Sequence, residues 1–349
     1  RGLLLQRAGL RGAPRWSASF LRKRGPWGGG AAAQADVAAE LRPVLPVKVV
    51  LAISVLAVSC SGVLARTEHL RDVPALVVAG WRMALSAMAL VAAAAWRRRG
   101  ARARDRASED AQEAKLRYFP AIASAGVLIA LHFAFFYTAL RLTSVLRATL
   151  LVCLVPIFVG LLGFISFPGS PASRPPARFW AGIALALIGV RFVVAGPGAQ
   201  TAAAAGGRAL LNVGDVFALM GAVAFAAYMR IGRVVRRHVP VRSYQLRVTA
   251  IAAGILMPAA TLLHGGVGVA LGALPWLALS SLLPQLVGQA GLDYVLFYLS
   301  PRVVSAAALM EPVCASLLAW AFLGEAVTRG QAVGSLIVLA AVALATSEG

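Results

Sequence analysis

At 349 residues, 60% hydrophobic and only 13% charged, the chain is far more apolar than a soluble globular domain, which runs about 45–50% apolar and about 25% charged. Its three cysteines exclude a disulfide-stapled scaffold and a thiolate metal cage. The net charge of +21 would suit a nucleic-acid binder, but half of the basic residues flank apolar runs, nine in 1–48 and eight in 97–117. That is how a membrane protein marks its cytoplasmic side, so the expected partners are a lipid bilayer and a small-molecule substrate, with no nucleic acid.

In chain order, residues 1–47 read as a basic, disordered segment. Its first 30 residues carry seven basic and no acidic side chains, a composition shared with organelle targeting peptides. Ten membrane-spanning helices follow, at 48–66, 74–96, 118–140, 145–167, 179–195, 211–230, 243–263, 274–299, 303–323 and 328–346. Each is close to the roughly 20 residues that cross about 30 Å of hydrocarbon. Barrel strands would alternate apolar and polar, whereas Ala121 to Ala139 is almost continuously apolar.

Lys and Arg in alternate connections divide 25 to 6, which puts both termini on the cytoplasmic side of a plasma or inner membrane, with an organelle membrane as the alternative. Shifting the sequence by 156 residues brings Pro156 onto Pro312 and the third span onto the eighth, and Arg82 falls near Arg247. The units 48–195 and 211–346, joined by the small-residue linker 196–210, therefore read as repeats. Five spans is an odd number, so the second repeat enters the membrane from the opposite face. The expected fold is an all-α integral membrane protein of ten transmembrane helices in two inverted five-helix repeats.

The candidate site residues are polar groups that lipid would penalise. Glu311 lies nine residues beyond Arg302, roughly 14 Å into its span, where a lone acid costs about 2.5–3.5 kcal/mol unless it faces a cavity or a partner. Pro312 follows it, and Pro156 stands at the matching place in the first repeat, so both predict helix kinks. Gln285 and Gln289 recur with Asp293 every four residues and share one helical face; Asp293 lies toward the inner end, within reach of the interface. Arg82, Arg191, His132 and Tyr137 complete the candidate substrate-binding set. The alternatives are snorkelling for the two arginines and packing among aromatics for His132, which would otherwise suit a coupling proton. Phe133, Phe136, Trp320 and Phe322 are candidate pocket walls or interfacial belt residues. No catalytic motif and no metal-ligand spacing is present.

The segment Glu311 to Glu325, EPVCASLLAWAFLGE, is similar to the closing signature of the EamA repeat of the drug/metabolite transporter superfamily, and Leu131 to Phe158 resembles the third and fourth helices of its first repeat. The resemblance covers nearly all of 48–346, including Arg82 in the second span. It implies a secondary transporter, usually an exporter, of amino acids, metabolites or drugs, working by alternating access, with a homodimer as an option. No cofactor is implied beyond a coupling proton. The first repeat departs from the pattern, with FPGS at Phe167 to Ser170 where the second has Gly324 and Glu325, and Val155 opposite Glu311. The expected cavity is enclosed by spans 1, 3, 4, 6, 8 and 9. Two other readings stay open: an organelle exchanger of phosphorylated metabolites or nucleotide sugars, which would want clustered cations at the midplane, and a non-transporting membrane receptor or scaffold.

Overall fold

The computed structural model describes residues 45–65, 67–70, 72–99, 117–142, 148, 151–165, 174–194, 213–324 and 327–346. The expectations for residues 1–44, for the linker 196–210 and for the FPGS turn lie outside them. Among the described residues every regular element is helical. In chain order these are α1 Val47–Ala65, α2 Ala75–Arg99, α3 Phe119–Leu142, α4 Val155–Leu162, α5 Ala177–Val194, α6 Val213–Val235, α7 Val241–His264, α8 Leu271–Val295, α9 Pro301–Leu323 and α10 Arg329–Thr346. Seven of them, α2, α3 and α6 to α10, are long and apolar enough to cross a membrane, and Val47–Ser61 of α1 is apolar but shorter. Large apolar side chains such as Leu262, Leu263, Phe322 and Leu336 stand exposed on the bundle surface, as a hydrocarbon solvent requires.

Two helices depart from the uniform spans that hydropathy predicts. α9 is broken at Leu309 and Met310 into Pro301–Ala308 and Glu311–Leu323, with Pro312 in the first turn of the second half. Proline has no N–H to give to a preceding turn, so the helix restarts there. Pro156 occupies the same place in the first turn of α4. Both therefore start helical segments after a one-turn break, a sharper interruption than a kink. α8 contains a wide π-type stretch, Ser281–Gln289, around Pro284, where the missing amide disturbs the regular ladder.

Packing pairs α5 with α10, α3 with α6, α2 with α7, and α1 with α8 and the second half of α9. Close approach depends on glycine at specific points. A Cβ on Gly189 would come within 2.8 Å of the Gly334 carbonyl, and one on Gly182 within 2.7 Å of the Ala345 methyl. These two positions let α5 and α10 meet nearly backbone to backbone. Gly288 and Gly291 do the same for α8, where a Cβ would lie 2.6 Å from Val58 and 2.1 Å from Ser54 of α1.

Gly189→Val is expected to destabilise the fold by about 1–3 kcal/mol through overpacking of this seam. Gly254→Ala, where a Cβ meets nothing within 4 Å, is expected to stabilise by about 0.5–1 kcal/mol. Thermal unfolding of the two variants in detergent measures both.

Candidate functional site

The centre of the bundle holds one buried cation and one acid. Arg82, on α2, is buried; its Nε donates to Gln285 Oε1 of α8 at 2.9 Å and its Nη1 to Ser61 Oγ of α1 at 3.4 Å. The guanidinium carbon lies 5.1 Å from the centroid of the Phe133 ring of α3, a cation–π distance. One turn along α2, Ser86 Oγ donates to the Arg82 carbonyl at 2.7 Å and shares a 2.7 Å hydrogen bond with Ser281 Oγ of α8. Three helices thus fix the orientation of a single charge. Arg82 also interacts electrostatically with Tyr137 and Glu311.

Glu311 opens the second half of α9, at the break. It lies near Cys153 and Cys314, and the residue as a whole keeps partial exposure. No hydrogen bond to its carboxylate is made by the described residues. Tyr137 is half-buried on the same side, its ring 6.0 Å from Phe133 and 5.7 Å from Phe136. A charged group left without a direct partner beside aromatic walls can bind a ligand of opposite charge.

A second polar node lies nearer the end where α6 stops and α7 begins. Asp293 of α8 is 0% exposed. Its Oδ2 accepts from Tyr228 of α6 at 2.5 Å and from the side-chain amide of Gln245 of α7, and Gln289 adjoins the same carboxylate. Arg236, fully buried, donates through Nε to the Asp293 carbonyl at 3.1 Å and through Nη1 to the Val239 carbonyl, while Arg233 donates to the carbonyls of Leu296 and Leu299. This node ties the ends of α6, α7 and α8 together.

The sequence-selected residues therefore separate into groups. Arg82, Gln285, Tyr137 and Glu311 come together at the centre. Gln289 belongs with Asp293, which is buried and does not reach the interface. His132 lies on the α3–α6 seam, its Nδ1–H donating to the Gly221 carbonyl at 3.0 Å and its ring 4.7 Å from Phe225 and 5.1 Å from Phe133. Arg191 is exposed in the last turn of α5 and joins neither group. Trp320 and Phe322, 57% and 75% exposed, face outward and fit the interfacial-belt alternative, not a pocket wall. Ser61, Ser86 and Ser281 escaped sequence reasoning because small hydroxyls are routine in membrane helices. Tyr228, Gln245 and Arg236 escaped because their shared partner lies far away in the chain; a buried acid one turn beyond Gln289 was the available signal.

The EamA-like transporter family model matches the chain twice, over residues 47–195 and 212–347. The chain belongs to the EamA family. It is thus an integral, multi-pass membrane protein of the drug/metabolite transporter superfamily. It is similar to a protein of Archaeoglobus fulgidus described as an uncharacterized transporter, 26% identical over 216 residues that cover 61% of this chain and 71% of the relative. A solved crystal structure superposes with a TM-score of 0.67 over 86% of this chain and 97% of its own, at 16% identity, which bears on the fold alone.

Two measurements test the inner node. Asp293→Ala strands Gln245 and Tyr228 in the interior and takes the counter-charge from Arg236, and is expected to cost about 3–5 kcal/mol, more than Asp293→Asn, which keeps an acceptor; thermal unfolding reads the difference. In the α6–α7 turn, His238 stacks on Tyr118 with ring centroids 4.8 Å apart, and burial beside Arg237 and Arg117 pushes its imidazole below its ordinary value. The unfolded chain then binds the proton more strongly, so this residue's contribution to stability is lost as pH falls below about 6.5. His238→Phe, which keeps a stacking ring, is expected to flatten the loss of thermal stability between pH 7 and pH 5.

Proposed function

We propose that the chain is a secondary-active carrier that moves small zwitterionic metabolites of the amino-acid type by alternating access, with Glu311 as the central substrate and proton group. The observation that carries this reading is Glu311: a partly exposed residue at a helix break, near Arg82, whose carboxylate has no hydrogen bond from the described residues. An ammonium group of the substrate satisfies it. A carboxylate at the other end of the same molecule meets Arg82, which Gln285 and Ser61 hold in place from behind, and Phe133 and Tyr137 supply apolar walls. When no substrate is bound, a proton neutralises Glu311, and this exchange couples flux to a pH gradient.

The architecture proposed is ten spans in two inverted five-helix repeats, with both termini at the cytoplasmic side. Its support is the helix pairing itself. If α1 to α5 are exchanged with α6 to α10, the α3–α6 contact becomes α8–α1, while α2–α7 and α5–α10 map onto themselves. A two-fold relation of this kind lets one repeat rock against the other around a fixed central site. Export is the proposed direction. Exchange of phosphorylated metabolites fits less well, because Arg82 stands alone at the centre among the described residues and Arg191 is exposed elsewhere.

The test is uptake and efflux of a labelled amino-acid panel in proteoliposomes, with and without an imposed pH gradient. Removing one charge-assisted contact costs about 1.5–3 kcal/mol, so Glu311→Gln is expected to lower gradient-driven flux about tenfold or more. Arg82→Lys, which breaks the fixed fork toward Gln285 and the substrate, is expected to raise the half-saturating concentration. Flux indifferent to both the gradient and Glu311→Gln would overturn the coupled-carrier reading and leave Glu311 as a packing group.

A further inference from the structure

We infer that two ring stacks, His69 on Trp276 and His238 on Tyr118, are equivalent latches that hold the two repeats together at opposite faces of the bundle, so that each face opens only when its own stack parts. The assignment rests on the alternating-access reading proposed above. His69 stands in the α1–α2 connection, and its ring lies 5.5 Å from that of Trp276, near the start of α8, at an interplanar angle of 23°. His238 stands in the α6–α7 turn, and its ring lies 4.8 Å from that of Tyr118, the residue before α3, at 11°.

Exchanging α1 to α5 with α6 to α10 turns one stack into the other. The α1–α2 connection becomes the α6–α7 turn, and the start of α8 becomes the start of α3. His69 lies four residues beyond α1 and His238 three beyond α6, and the 156-residue shift carries Tyr118 to within two positions of Trp276. Each pair therefore crosses from one repeat to the other, and a contact of that kind has to part when the repeats separate at its end. The two ends are also a membrane apart. Leu296, whose carbonyl accepts from Arg233 near the end of α6, is twenty residues along from Trp276, about 30 Å at helical rise, which matches the thickness of the hydrocarbon layer.

The two ends differ in what backs each stack. At the first, His69 is exposed and its ring lies against Gly272, where an added Cβ would be 3.5 Å from the imidazole Cδ2. Leu70, next in the chain, is buried with Ala273 and Leu277, and Trp81 and Trp276 pack against that cluster. Trp81 Nε1 also donates to the Val267 carbonyl at 2.8 Å, a second bond between the repeats, and Trp81 directly precedes Arg82. This end is thereby tied to the turn of α2 that carries the central cation. At the second end, Tyr118 is buried in the same core as Val235 and Val239, which stand on either side of His238. Ring pairs contribute a modest preference that depends on their geometry, which suits a contact that is broken and remade in every cycle.

The experiment is hydrogen–deuterium exchange, read by mass spectrometry on the full chain in lipid nanodiscs at one pH, comparing peptides from the two ends. Turn hydrogen bonds supply the protected amides: Leu70 to the Thr67 carbonyl at 3.0 Å and Ala273 to the Ala270 carbonyl at 2.9 Å at one end, His238 and Val239 to the Val235 carbonyl at 2.9 Å at the other. His69→Ala is expected to raise exchange of the first set about three- to tenfold and to lower that of the second, because the population shifts toward the state open at the first face. His238→Ala is expected to do the reverse. His69→Phe, which keeps a ring on Trp276, is expected to stay within about twofold of the parent chain, while Trp81→Phe, which loses the N–H to Val267, acts in the direction of His69→Ala. If His238→Ala does not fold, the exposed His69 and Trp81→Phe carry the comparison. A rise at both ends, or a rise at the altered end with no fall at the other, would make the stacks ordinary packing and overturn the proposal. Labelled amino-acid flux in proteoliposomes is read separately. Reciprocal exchange without flux would uphold the latches and overturn the substrate assignment, and flux without reciprocal exchange would overturn the latches alone.

Discussion

A helix crossing hydrocarbon has to satisfy its own backbone, and the architecture of this protein follows from the places where it does not. Pro312 and Pro156 remove amide donors from the interior of the bundle, and each forces a fresh helix start. Interrupted backbone at that depth is tolerated only where protein or a wet cavity surrounds it. In the second repeat the first residue after the break is an acid, Glu311; in the first repeat it is Val155. The same mechanical device thus carries a charge in one half of the protein and an apolar side chain in the other.

The two polar nodes differ in what their acids meet. Around Asp293, Tyr228 of α6 and Gln245 of α7 donate to the carboxylate, and Arg236, just past α6, donates to the main-chain carbonyl of the same residue. Such a node costs desolvation, and its value lies in fixing which helix ends meet, not in net stability. At the centre, Arg82 is held by Gln285 and Ser61, while Glu311 accepts no hydrogen bond from the described residues. One node joins helices through its acid; at the other the acid has no hydrogen bond from the described residues. His132 and the aromatic rings of Phe133, Phe225 and Tyr228 run between them, so the two are linked by contiguous packing.

The sequence made the membrane class, the run of helices and the residues Arg82, Gln285 and Glu311 legible, because each is a conspicuous exception to a simple rule: apolar residues in lipid, polar ones elsewhere. It did not reveal the break in α9 as a full restart, nor the wide turn of α8, because a proline announces a disturbance without stating its geometry. It also could not separate Gln289 from Gln285. The two share a helical face, yet α8 runs past α2 at one and past α6 and α7 at the other, and only the packing assigns them to different nodes. Arg191 misled for a related reason, since a cation in an apolar stretch looks the same in sequence whether it turns inward or outward.

The wide turn of α8 is more than a local irregularity. A π stretch stores one additional residue within a helix, and moving that surplus by a turn re-registers the side chains it passes by one position, about 100° of rotation, without lengthening the backbone. Gln285 lies inside the stretch and Asp293 beyond it. The surplus therefore sits between the group that grips Arg82 and the group that joins α6, α7 and α8, and turns the two toward different neighbours.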